Sequence, residues 1–317
     1  ESHMTEVTLL LQPVPLATSP GTLASAFLNG LYLAAILYFV GLGLSLIFGV
    51  LDLVNLAHGA FLGLGAYVSV SLTNAIGSGN SLLTTLALLF VVAPLVVLSF
   101  GLVFERVFFE MFYDIDQEYQ LLGTFGLVLM AEEPISMIWG QQPLSIGAGN
   151  PYSVLGTVDL FGTAYPIYNL VGIVVFALGA IGPFVLFSRT KIGKKARAVA
   201  EDPEMANALG IDLRLMRVIV FGVSVLLAAL GGALLIPTDA AIPSITAEYI
   251  ILSFAVVVIG GLGSVKGAVV ASLLIGFITS FGILWVPNLQ AAFVFLAMAA
   301  VIAVKPTGLY GNRGILG

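Results

Sequence analysis

The sequence has no cysteine, only two histidines and two tryptophans, and no Lys or Arg before Arg106. Without cysteine there is neither a disulfide framework nor a thiolate metal site, and two histidines are too few to build most metal sites alone. Charge is equally scarce. Of 317 residues 9% are charged and 59% are hydrophobic, with a mean hydropathy of +1.11. A soluble domain carries about 25% charged residues to keep its surface in water, so this chain cannot be soluble. The net charge of -6 leaves no basic patch of the size a nucleic acid needs. Glu1 to His3 read as a cloning remnant, with Met4 the expected native start, and no cleavable signal precedes the first apolar stretch.

What is present is a succession of apolar runs. A spanning helix needs roughly 20 mainly apolar residues. Nine stretches meet or approach that length: Ala24 to Phe48, Ala57 to Ile76, Leu82 to Phe104, Leu121 to Trp139, Tyr168 to Phe187, Met216 to Ile236, Ala247 to Leu262, Val265 to Trp285 and Ala291 to Val304. The shortest of them could be re-entrant, which leaves a range of eight to ten spans. Barrel strands would alternate over about ten residues, so the expected fold is all-α: a polytopic membrane helical bundle forming a single transmembrane domain over 1–317. Arg189, Lys191, Lys194, Lys195, Arg197, Arg214 and Arg217 gather in one connection, with Lys305 and Arg313 near the C-terminus. The positive-inside rule places these segments in the cytoplasm and the loops Gly77 to Ser81 and Gly140 to Pro166 outside. An odd span count puts the N-terminus outside. Glu132 and Glu133 are expected at the outer end of the fourth span.

The connection Ser188 to Leu215 is too long and too well punctuated for a plain turn. Asp202 can cap a helix, Pro203 suits its first position, Glu204 favours the positive end of the dipole, and Gly210 can take the left-handed conformation that ends it. A short helix over Pro203 to Leu209 follows, with Met205 and Leu209 one turn apart. On spacing alone it is either a solvated linker or a docking element. Asp52, Asn55 and His58 recur at intervals of three, flanked by Gly49 and Gly59, which could let a helix break. Polar groups at membrane depth line cavities or pair with each other. These three are either a lining or cytoplasmic gate of a translocation path, or an interfacial turn that meets water. Gly260-Gly261-Leu262-Gly263-Ser264 lacks the Lys-Ser/Thr ending of a phosphate loop and reads as close packing or a broken helix.

Glu204-Met205-Ala206, three residues, then Gly210 resembles the EAA-x3-G loop of ABC importer permeases, with Met205 where the pattern has alanine. The longer stretch Arg197 to Ile211 resembles the LivH-type permease of branched-chain amino acid ABC transporters, as do Phe48 to Ala60, Val258 to Ser264 and Val304 to Gly311. The likeness runs from about Leu28 to Gly311; the connection Glu105 to Gln120 departs from it, with a single Arg106 where the family usually carries more arginine. The resemblance implies a permease subunit of an ATP-driven importer in a prokaryotic plasma membrane. It implies ATPase coupling through Glu204, Met205, Ala206, Leu209 and Gly210. It also implies a second permease (LivM-type or another copy), two cytoplasmic ATPases that bind the ATP, and an extracytoplasmic substrate-binding protein. No cofactor is expected in this chain. The cargo it implies is leucine, isoleucine or valine, although very similar permeases carry urea, short amides or other amino acids. An enzyme lacks its inventory, since no nucleophile-base pair or paired carboxylates stand within the spans. A stand-alone secondary transporter or channel would want midspan charges that are sparse here and would leave a docking helix without purpose.

Overall fold

The computed structural model of the protein describes residues 19–77, 81–113 and 115–311. The Glu1 to His3 remnant, Met4 and Arg313 lie outside them. Helix α1 (Pro20–Leu51) is followed by α2 (His58–Ile76), α3 (Leu82–Val107) and α4 (Gln117–Trp139). Next come the short α5 (Pro151–Leu155) and a hairpin of β1 (Thr157–Leu160) and β2 (Thr163–Pro166), then α6 (Ile167–Arg189). Two helices, α7 (Lys191–Glu201) and α8 (Pro203–Ala208), fill the long connection before α9 (Leu213–Leu235). The chain closes with α10 (Ile245–Gly260), α11 (Val265–Trp285) and α12 (Gln290–Val304).

Seven of these helices (α1 to α4, α6, α9 and α11) are long and apolar enough to cross a membrane, and α10 and α12 are shorter apolar helices at the two remaining stretches named above. The bundle is therefore a multi-pass membrane protein. At about 1.5 Å per residue, α1 is longer than a 30 Å hydrocarbon core requires. It is the axle of the fold: 83% of its most apolar stretch is buried, against 22% for α4 and 17% for α6. Helices α9, α10, α11 and α6 pack around it. In lipid such packing is not driven by the hydrophobic effect, because acyl chains are as apolar as leucine; it relies on close van der Waals fit, which small residues permit.

α4 stands off from its neighbours and leaves an apolar cavity of about 380 Å³ against α2 and α3, bordered by Phe61, Leu64, Phe100, Leu127, Ile135 and Trp139. The Trp139 indole nevertheless ties α4 to α2 by donating to Ser71 Oγ at 2.6 Å. α4 runs straight through Pro134, so Glu132 and Glu133 sit within its last turns rather than capping its end, and Glu133 is exposed.

The connections sort into two ends. At one, the loop after α4 meets the α9–α10 connection through the Leu144–Ala241 bridge and through Asn150 Nδ2 donating to the Pro237 carbonyl at 3.1 Å. At the other lie the α1–α2 break, the α3–α4 connection, α7, α8, the α10–α11 turn and the stretch after α12. Every Lys and Arg among the described residues belongs to this second, basic end.

Candidate functional site: a helix break joined to a docking helix

The repeat of three through Asp52, Asn55 and His58 does not lie on one continuous helix. α1 ends at Leu51, and Asp52 takes a left-handed backbone (φ 50) as its C-cap. Residues 53–55 have no regular secondary structure, Leu56 and Ala57 turn, and α2 begins at His58. Gly49 and Gly59 do not make the break; both sit inside helices. Gly49 is small because the α10–α11 turn presses on it: a Cβ there would fall on the Gly263 Cα. The glycine-rich turn is thus a close-packed helix break, with Ser264 Oγ accepting from Gly267 N at 3.0 Å to start α11.

A connection between two helices frees backbone groups that must be satisfied where they are buried. One face of α4 supplies the partners. Gln120 Oε1 accepts from Val54 N at 2.9 Å, Leu56 N donates to Thr124 Oγ1 at 3.2 Å, and Thr124 Oγ1 donates to the Val54 carbonyl at 3.2 Å. Gln117 Nε2 donates to Asp52 Oδ1 at 2.9 Å. These three residues were missed by sequence reasoning, although polar side chains at intervals of three and four opening an apolar span were a usable signal.

The candidate trio separates in burial. Asp52 is exposed, whereas Asn55 and His58 are 1% and 0% exposed. Neither amide atom of Asn55 has a hydrogen-bond partner among the described residues. The His58 ring lies near the Val40 carbonyl, yet neither ring nitrogen meets hydrogen-bond geometry. It fills a notch at Gly43, where a Cβ would stand 2.6 Å from Nε2. An unsatisfied buried polar group costs about 1–3 kcal/mol, so this pair works against stability in the arrangement seen here.

A crevice of about 720 Å³ opens beside the break and connects it to α8; Asp52, Tyr113, Pro203, Glu204, Arg217 and Leu262 are among its walls. Arg217 stacks over the Tyr113 ring at 4.4 Å, and Tyr113 donates to Glu105 Oε1 at 3.0 Å. Burial, reinforced by the neighbouring Glu105, raises the Tyr113 pKa and keeps that hydroxyl a donor. Arg214 pairs with Glu110 at 3.2 Å across the α3–α4 connection; both are well exposed, so the pair contributes little.

α8 is capped at both ends. Asp202 Oδ1 accepts from Met205 N at 2.8 Å, Pro203 takes the first turn, and Gly210 is left-handed with φ +82. Gly210 N donates to the Asn207 carbonyl at 2.9 Å and Ile211 N to Ala206 at 3.0 Å, the double closure of a Schellman motif. The helix ends one residue short of the expected Leu209, which becomes its C-cap. Ala206 points inward, buried with Val199 of α7 and Met216 of α9. It anchors α8 and offers no surface. Glu204, Met205 (56% exposed) and Leu209 (75%) face outward beside Gly210.

A family model described as branched-chain amino acid transport system / permease component matches residues 26–304. The permease protein BraD of the high-affinity branched-chain amino acid transport system of Pseudomonas aeruginosa is 26% identical over 290 residues, covering 90% of this chain and 94% of that protein. The probable branched-chain amino acid transport permease LivH of Methanocaldococcus jannaschii is 28% identical over 244 residues, 76% of this chain and 75% of that protein. The solved structure of PsaBC from Streptococcus pneumoniae in complex with Fab aligns over 89% of this chain and 90% of that one, at 11% identity and a TM-score of 0.44. With a family model spanning nearly all of the bundle described above, the chain belongs to the permease components of branched-chain amino acid transport systems.

Proposed function

We propose that this chain is half of the translocation path of an ATP-driven importer, with its basic end in the cytoplasm, its N-terminus outside and its C-terminus inside. It works with a second permease, either LivM-type or another copy, with two ATPase subunits that bind the ATP, and with an extracytoplasmic binding protein. It holds no cofactor and catalyses no reaction itself. The cargo is a branched-chain amino acid. The observation that carries the reading is α8: a doubly capped helix pinned by Ala206, presenting Met205 and Leu209 to solvent, and joined by the crevice to the connection between the first two spans. A solvated linker has no use for two exposed apolar side chains one turn apart.

In this mechanism an ATPase cleft grips α8 through Met205, Leu209 and Glu204. Movement of α8 changes the crevice wall and tilts the break. Asn55 and His58, unsatisfied in the arrangement seen here, gain partners when the break opens toward the path, so their burial acts as a gate held by packing. Reconstitution with the cognate ATPases and binding protein tests this: uptake should need ATP hydrolysis and persist when ion gradients are collapsed. Gradient-driven uptake without ATPases would overturn the assignment. A thermal-shift screen of the binding protein against amino acids and urea settles the cargo, with urea or an amide replacing leucine if the first choice fails. Because the chain lacks cysteine, single cysteines report topology cleanly. One at Ser145 should be labelled from outside, and labelling at Lys194 in intact cells would invert the map.

A further inference from the structure

We propose that the elbow between α6 and α7 is a binding site for anionic phospholipid headgroups. The inference rests on the chain spanning a bilayer and not on the docking role of α8.

Only Thr190 separates α6 from α7, and the corner is rigid. Thr190 Oγ1 donates to the Leu186 carbonyl at 2.6 Å and accepts from Gly193 N at 3.3 Å. Arg197 donates to the Phe187 carbonyl, and Gly193 is pressed onto the Phe187 backbone. The start of α7 therefore stays where α6 leaves the membrane. α6 is the least buried of the seven long spans, and Leu178, Ile181 and Val185 on it are exposed, so nothing among the described residues covers its outer face.

α7 buries Gly193, Ala196 and Val199 against the bundle. Lys191, Lys194 and Lys195 point the opposite way and are exposed, with Arg189 beside them. Among the described residues no acidic side chain pairs with any of the four. A lysine face held where a spanning helix ends suits anionic lipid.

Local energetics point the same way. Three lysines in the first turns of α7 put positive charge at the positive end of its dipole, and Lys191 repels Lys194 and Lys195 at intervals of three and four. α7 has no acidic residue before Glu201 to offset this. A phosphate seated there satisfies both the lysines and the helix end. The same charges on a cytosolic loop would suit an acidic protein partner, but a corner fixed at the end of a helix long and apolar enough to span the membrane favours the headgroup.

The test titrates purified protein in detergent with phosphatidylglycerol or phosphatidylcholine and counts bound lipid by native mass spectrometry. Each basic side chain near an anionic surface strengthens binding severalfold, so the wild-type protein should prefer phosphatidylglycerol by about tenfold or more. The Lys191→Gln, Lys194→Gln, Lys195→Gln triple variant should lose that preference, while the corresponding triple Lys→Arg variant keeps it. Millimolar inorganic phosphate should leave the preference in place. The proposal is overturned by a wild type without preference, by a glutamine variant that retains it, by an arginine variant that loses it, or by displacement with inorganic phosphate.

Discussion

The break after α1 and the short helix α8 both interrupt the run of long helices at the basic end, and they are built in opposite ways. α8 is satisfied locally: its caps come from Asp202 and Gly210 within the same few residues, and a Cβ at Gly210 would meet nothing within 4 Å. The break is satisfied from far away, by Gln120 and Thr124 of α4, and is hemmed in by the α10–α11 turn at Gly49. Two of its polar side chains, Asn55 and His58, have no hydrogen-bond partner among the described residues. Local closure produces a segment that can move or be gripped as a unit. Distant closure produces a joint that shifts only if several helices shift together, which is what a gate coupled to a whole bundle requires.

Substitutions can break this contrast, and the largest effect belongs to Gly49. Gly49→Val forces side-chain atoms onto the Gly263 backbone in the α10–α11 turn; overpacking of this kind costs about 1–3 kcal/mol and more when backbone is the obstacle. The thermal midpoint of the detergent-purified protein should fall by several degrees and the folded yield with it. An unchanged midpoint would show that α1 and the α10–α11 turn are not in contact.

Gly210→Val comes next and separates the two regions, since its strain stays local. A β-branched residue in the left-handed region costs about 1–2 kcal/mol. The bundle should keep its thermal midpoint while ATPase co-purification and ATP-dependent uptake drop at least severalfold. Full ATPase recovery with normal uptake would make α8 a linker after all.

His58→Leu sharpens the comparison from the other side. Leucine removes an orphaned polar ring at similar volume, so stability should stay level or rise by up to about 1 kcal/mol, while uptake falls and ATPase recovery is untouched. Asn55→Leu should behave alike. Normal uptake in both would mean that these residues only fill space.

Glu204→Lys is the smallest perturbation to the fold, about 0.3–1 kcal/mol from charge at the wrong end of the α8 dipole. Because that cannot unfold α8 from its anchored position, a large loss of uptake at normal membrane abundance would have to arise at the partner contact.

The apolar runs, the basic end and the caps of α8 were legible because each depends on neighbours in sequence: run length, charge clustering, and residues three or four apart on one helical turn. Spacing alone left Asp52, Asn55 and His58 open between a shared lining face and an interfacial turn; Asp52 ends one helix and His58 begins the next, so only Asn55 and His58 are buried together near the joint. α7 went unseen as a helix because its lysines disguised the buried Gly193, Ala196 and Val199. Ala206 was grouped with the docking residues, since nothing local distinguishes an alanine that anchors from one that contacts.

By itself, then, the sequence determined that the chain crosses a membrane several times, which end is basic, and that a capped helix follows α6, because hydrophobic run length, charge placement and capping are properties of contiguous residues. Only the tertiary structure decided that Gln117, Gln120 and Thr124 hold the break together, that Gly49 meets Gly263, and that Asn55 and His58 are buried without partners. The reason is physical. A buried backbone freed between two helices must find its hydrogen bonds wherever another helix offers them, and which helix arrives there is set by packing over the whole bundle.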